Sequence, residues 1–134
     1  MKQRLRFMRF QLERFPSGQC RARVRLAWPD GDRFLGEARG LTSPAGELRC
    51  AAQACLQALT QAVHEPAFEL VGVKALHAFD ATVVIVSLAT STQGVGPQVV
   101  GVCLTEADAP RGAALAVLNA TNRLLGRLLP KKTS

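Results

Sequence analysis

At 134 residues, 48% hydrophobic and 20% charged, the chain can bury roughly two thirds of its unfolded-chain surface in one core without disulfide or metal staples. No apolar run approaches the roughly 18 residues of a membrane span, and MKQRLRFMRF alternates charge with apolar residues where a signal peptide would carry an apolar block. A helical membrane protein is excluded on this reading, and we expect one cytoplasmic, soluble domain over residues 1–134. The formal charge of +7 is uneven: residues 1–39 carry ten Lys/Arg against four Asp/Glu, residues 40–105 two against four, and residues 106–134 five against two. An anionic partner near the first 39 residues is therefore permitted.

In chain order, residues 4–14 alternate charged and apolar, with Leu5 and Phe7 in one phase and Met8, Phe10 and Leu12 in the other. A strand with a bulge near Phe7-Met8 accounts for this; a helix through Leu5, Met8, Leu12 and Phe15 is the alternative. After a turn at Pro16-Ser17-Gly18, Cys20 to Trp28 alternates cleanly. Cys20, Ala22, Val24, Leu26 and Trp28 take one side and Arg21, Arg23 and Arg25 the other, as in a half-buried antiparallel strand. Pro29-Asp30-Gly31-Asp32 predicts a hairpin into Arg33–Arg39, with Phe34, Gly36 and Ala38 in one phase, and Gly40–Ser43 reads as a loop. A helix follows over 44–64, with Leu48, Ala52, Cys55, Leu59 and Ala62 as its apolar stripe, ended by Pro66. Strands are predicted over 68–79, 81–90 and 98–104, with the Gly-rich loop Ser91–Pro97 before the last. Val83 to Val86 are apolar in both phases, so that strand should be covered on both faces. One cover is a helix layer; the other is either the first half of the chain, sheet to sheet, or a partner subunit, which predicts a homodimer. A final helix over 109–129 turns Ala114, Val117, Leu118, Thr121, Leu125 and Leu128 inward, and Lys131-Lys132 belong to a basic tail, residues 130–134.

The helices repeat each other. Arg49 to Leu59, RCAAQACLQAL, matches Arg111 to Thr121, RGAALAVLNAT, at six of eleven positions, 62 residues apart. Ser43-Pro44 and Asp108-Ala109-Pro110 each read as an N-cap followed by an early proline. Each copy follows three strand-like runs. The fold class expected is α+β: two pseudo-repeated βββα units, about residues 3–65 and 66–129, with mainly antiparallel sheets and two helices.

This order of elements, with Ala116-Val117-Leu118-Asn119-Ala120-Thr121-Asn122-Arg123-Leu124-Leu125 closing the second unit, resembles the C-terminal regulatory (dimerisation) domain of 2-isopropylmalate synthase. The resemblance covers about residues 3–129. It implies a non-catalytic module that dimerises and holds an amino acid near the junction of its repeats. Two departures stand beside it: these 134 residues hold no catalytic barrel, and the arginine-bearing strand is not part of that pattern.

Groups suited to catalysis are sparse. His64 and His77 lie in no metal or general-base motif, HExxH, GxSxG and P-loop patterns are absent, and Gly94-Val95-Gly96-Pro97 is too short to cradle a phosphate. Asp80 reads as a turn former, and tyrosine is missing. Cys20, Cys50, Cys55 and Cys103 form no CxxC pair, and their reading is small core residues in a reducing compartment. We expect no enzyme, cofactor or metal. Two binding candidates remain. One is the first helix N-terminus, where Thr42, Ser43 and Arg49 suit a carboxylate or phosphate; Asp108 would repel an anion at the other. The second is a polyanion face of Arg4, Arg6, Arg9, Arg21, Arg23 and Arg25, extended by Arg33 and Arg39, which would release counterions from nucleic acid. Phe7, Phe10, Phe34 and Trp28 alternate away from those arginines, towards a core. The reading is thus a dimeric binding or regulatory module with an amino-acid-like ligand; the alternative is a nucleic-acid-binding protein using the arginine face.

Overall fold

A computed structural model describes residues 4–64, 67–90 and 98–128. Among these the chain forms β1 (Arg6–Arg14), β2 (Gln19–Ala27), β3 (Arg33–Leu41), α1 (Pro44–Ala62), β4 (Phe68–Ala78), β5 (Ala81–Thr90), β6 (Gln98–Thr105) and α2 (Ala109–Leu128). The α+β class and the two βββα units are present. Each unit has its own antiparallel sheet, sheet A in the order β1-β2-β3 and sheet B in the order β4-β5-β6. The loop Ser91–Pro97 and the basic tail lie outside the described residues, as do the side chains of Leu125 and Leu128.

Of residues 4–14, Arg6–Arg14 form the strand, and the bulge explains their mixed pattern. Pairing of β1 with β2 shifts between Phe7 and Arg9, so Met8 is the extra residue. Leu5 and Phe7 before it and Phe10 and Leu12 after it, opposite in phase, then face the same core. Met8 itself is exposed, which corrects its expected place beside Phe10 and Leu12. β4 repeats the device: its pairing shifts between Leu70 and Gly72, Val71 is exposed, and Leu70, Val73 and Ala75 still face inward.

Element ends differ from expectation by up to two residues, and two of the differences have a visible cause. β3 continues to Leu41, because Gly40 and Leu41 still pair with Cys20 and Gln19, so the loop is only Thr42-Ser43. The first helix stops at Ala62 instead of His64. Val63 is extended, with φ −137°, and its N–H returns to Leu59 O; a proline at 66 disfavours helical geometry just before it.

Each helix covers the inner face of its own sheet, α1 on β2 and β3 and α2 on β5 and β6. The helices also pack on each other, α1 against β4 and α2 against β1. The result is three layers, sheet A, helix pair, sheet B, around one core that draws on both halves. The two sheets therefore do not meet face to face, which removes one of the two covers considered for β5. In the helix repeat, the five matched apolar pairs, from Ala51 with Ala113 to Ala58 with Ala120, are buried, and the matched arginines Arg49 and Arg111 are exposed.

Small residues set the distance between layers. A Cβ added at Gly36 of β3 would collide with Ala54 O and Ala58 N; one at Gly101 of β6 would collide with Ala116 O and with Ala120 Cβ. Each helix thus crosses its edge strand backbone on backbone. The glycines and the N-caps Ser43 and Asp108 repeat at an interval of 65, the helix contacts at 62. α1 accordingly begins three residues earlier relative to its crossing point, about 4.5 Å of helix.

Candidate functional site

The polar stripe of each helix binds the free edge of its sheet. Gln57 Oε1 accepts from Glu37 N at 2.7 Å and Gln61 Nε2 donates to Leu35 O at 2.6 Å. At the equivalent places, 62 residues on, Asn119 Nδ2 donates to Val102 O at 3.3 Å and Arg123 donates to Val100 O at 2.8 Å. These contacts occupy backbone groups on β3 and β6 that would otherwise be open to strand addition.

One step further the halves diverge. Asn122, buried, uses both ends of its amide on one residue: Leu5 N–H donates to its Oδ1 at 3.2 Å, and its Nδ2 donates to Leu5 O at 3.0 Å. This sews the lead into β1 onto α2. The matching residue of α1 is Thr60, whose hydroxyl donates back to Leu56 O in its own helix at 2.8 Å. Beside it a cleft of about 390 Å³ lies open between the halves. Glu37, Gln53, Gln57 and Thr60 line it from the first half, and Phe68, Glu69 and Leu70 from the second. The sequence reading did not find these residues. Their signal is the amide-rich spacing Gln53, Gln57, Thr60, Gln61 on an otherwise apolar helix, which reads equally as a solvated face until β4 is known to lie across it.

Thr42, Ser43 and Arg49 are not among the lining residues. Ser43 is the N-cap of α1: its Oγ accepts from Gly46 N at 3.0 Å and its carbonyl from Glu47 N at 2.8 Å. Thr42 N–H donates to Gly18 O at 2.9 Å, and Arg49 is exposed on the helix. The first turn also holds a carboxylate, Glu47, bound by Arg14 through Nε at 2.7 Å and a second nitrogen at 2.9 Å. Its hydrogen bond to Glu47 is the main reason the Arg14 pKa lies above its ordinary value. At the other helix start, Asp108 caps through Oδ1, which accepts from Arg111 N at 3.1 Å.

Arg9, Arg21, Arg23 and Arg25 share the outer face of sheet A with Arg39, but so do Glu13 and Glu37. Arg21 binds Glu13, lies 3.7 Å from Glu37 and has its guanidinium over the Phe15 ring at 5.6 Å. Arg23 Nε is 3.4 Å from Glu37 Oε1, without the alignment of a hydrogen bond. Arg21 draws the Glu13 carboxyl below its ordinary pKa. Among the described residues Arg9, Arg25, Arg33 and Arg39 have no ion-pair partner, and Arg4 and Arg6 lie exposed at the start of β1. Phe7, Phe10, Trp28 and Phe34 pack on the core.

Cys20, Cys50 and Cys55 are buried. Cys50 Sγ donates to Ala38 O at 3.0 Å. Burial pushes the Cys55 thiol up to about 12 and, with Cys20 adding to it, Cys50 up to about 11, so neither supplies a thiolate nucleophile near neutral pH. His64 and His77 are exposed, and Asp80 occupies a turn at φ 58°. What the cleft offers is recognition by amides, a hydroxyl, the carboxylates of Glu37 and Glu69 and one wall of apolar surface.

The fold thus defines an α+β protein of two βββα units with a cleft at their junction. No family model matches the chain, and no curated protein matches it. The resemblance to the synthase regulatory domain rests on the order of elements and on residues 116–125.

Proposed function

We propose that the protein is a non-enzymatic binding and regulatory module that works as a homodimer and takes a small amino-acid-like ligand in the cleft at the repeat junction. The observation that carries this reading is the asymmetry between the halves: the junction is sewn shut by Asn122 on one side and left open beside Thr60 on the other. The open cleft has the volume of a small-molecule site. Its amides and the Thr60 hydroxyl suit a ligand bearing both donors and acceptors, and Phe68 and Leu70 suit an apolar side chain. The test is a thermal-shift screen of the free amino acids followed by calorimetry. A binding amino acid at about 100 times its Kd stabilises the fold by about 2.7 kcal/mol, and Thr60→Trp, which fills the cleft from an exposed position, abolishes the shift. If no amino acid shifts the melting temperature, the reading fails.

Polyanion binding on sheet A is the second reading, favoured by Arg9, Arg25, Arg33 and Arg39, which have no ion-pair partner among the described residues. It is the weaker one, because Glu13 and Glu37 already neutralise Arg21 and Arg23 within the same face. A salt-sensitive electrophoretic shift of RNA or DNA that Arg9→Gln with Arg25→Gln removes would favour it over the cleft.

A further inference from the structure

The outer faces of the two sheets are chemically opposite. On sheet A the strand registers place Arg9, Arg25 and Leu35 in one row, Gln11, Arg23 and Glu37 in the next, and Glu13, Arg21 and Arg39 in the third. On sheet B the corresponding rows are Gly72, Ser87, Val100, then Lys74, Ile85, Val102, then Leu76, Val83, Leu104. Leu104 is 66% exposed, and Leu76, Val100 and Val102 are each close to half exposed. An antiparallel sheet normally gives water a polar face; a contiguous aliphatic one marks a surface that is covered in use.

The hairpin turn at the end of the Leu76-Val83-Leu104 row adds an independent sign. Phe79 and Asp80 join β4 to β5 with φ of 54° and 58°, the two-residue turn that favours Asn-Gly. A bulky aromatic in the left-handed region is strained, and this one is 96% exposed. Strain and exposure at one aromatic beside an apolar face point to a contact made outside the chain.

We infer that the outer face of sheet B is the surface through which two copies of this chain associate, sheet on sheet, with Phe79 as the anchor at its end. This rests on the homodimer in the proposed function and names its interface. A second copy fits better than a foreign partner because of charge. The chain carries +7, yet among the described residues the three rows of this face carry only Lys74, and Glu69, further along β4, with Asp80 in the turn beside Phe79, supply the opposite sign at its rim. Two copies joined here hold their arginine faces at opposite ends of the assembly, where like-charge repulsion is least. An acidic partner would be drawn to sheet A. A two-fold contact joins the same face of both copies, and two twisted sheets meeting this way form an aligned sandwich.

The test is light scattering of the full chain across about 1 to 100 µM, a range in which a micromolar dimer dissociates. The wild type is expected to approach twice the 14.4 kDa chain mass at the upper end. Val102→Glu with Leu104→Lys, both at water-exposed positions, should give a monomer with an unchanged circular dichroism spectrum. Phe79→Asn should weaken the dimer about tenfold or more while raising the melting temperature of the monomer, an outcome no damaged fold would produce. Arg9→Gln with Arg25→Gln should leave the mass unchanged. A wild type that stays monomeric throughout overturns both the homodimer and this interface. A dimer that survives the Val102 and Leu104 changes overturns the interface alone. Amino-acid binding in the cleft is read separately by calorimetry on either form.

Discussion

Asn122 shows how much one side chain can organise. Its amide imitates a neighbouring strand, giving Leu5 both an acceptor and a donor, and so fixes the start of β1 against α2. Asn122→Ala would leave two buried backbone groups without partners, and an unsatisfied buried group costs about 1–3 kcal/mol. A loss of about 2–3 kcal/mol in urea unfolding is expected, against less than about 0.5 kcal/mol for Thr60→Ala at the exposed counterpart. Cys55 carries a second residue-scale prediction. Its thiol is raised in the folded state from an ordinary 9.0 to about 12, so the folded protein holds a proton that the unfolded chain releases. The stability linked to it is complete below about pH 9 and is lost as the pH rises towards 12. Val117 stands at the matching place in α2, so Cys55→Val should cost less than about 1.5 kcal/mol at neutral pH and flatten the alkaline fall, as measured by urea midpoints from pH 7 to 11. The sequence placed Cys55 in the core correctly; it put Asn122 in the closing motif of the second helix but gave it no contact, because the partner is 117 residues away and only the packed chain brings them together.

Among elements, the crossing of each helix over its edge strand is the most exacting contact. Gly36 and Gly101 admit the helix backbone to van der Waals distance, and a methyl group at either would meet backbone or a packed alanine, neither of which can yield locally. Gly36→Ala and Gly101→Ala should each destabilise the fold by about 1–3 kcal/mol or more, whereas Gly72→Ala, with open space around it, should be neutral or slightly stabilising. Thermal melts of the three variants decide this. In the sequence Gly36 showed only as one member of an alternating phase. The need for a bare Cα follows from where α1 lies, and helix position over a sheet is a tertiary quantity. The bulges were more legible, because a slip in alternation is a local pattern: Phe7-Met8 revealed the first. The two-residue shortening of α1 and the extension of β3 were less so, since element ends depend on pairing and capping.

For the whole molecule, the division of charge has a structural meaning that a net value hides. The basic residues gather on sheet A, partly neutralised in place by Glu13 and Glu37, and sheet B presents aliphatic rows with little charge. Replacing Arg21 by Gln should therefore leave Glu13 unpaired and Glu37 with Arg23 alone, and make that face less basic by one charge; it is a poorer probe of polyanion binding than Arg9→Gln with Arg25→Gln. Read by electrophoretic shift, the second pair should give the larger loss if the face binds nucleic acid at all.

Beyond residues 4–14, where strand and helix both fitted, the sequence by itself determined the element order, the two-fold repetition, the inward stripes and the turns, because these follow from hydrophobic period and from the local geometry of proline, glycine and capping residues. The same logic showed that β5, apolar on both faces, required two covers. Tertiary structure decided one of them: the helix pair fills the space between the sheets, and the outer face of sheet B stays open. It also decided where a ligand has room, since the cleft exists only where β4 crosses α1 and no local pattern encodes the distance between residues brought together from separate halves.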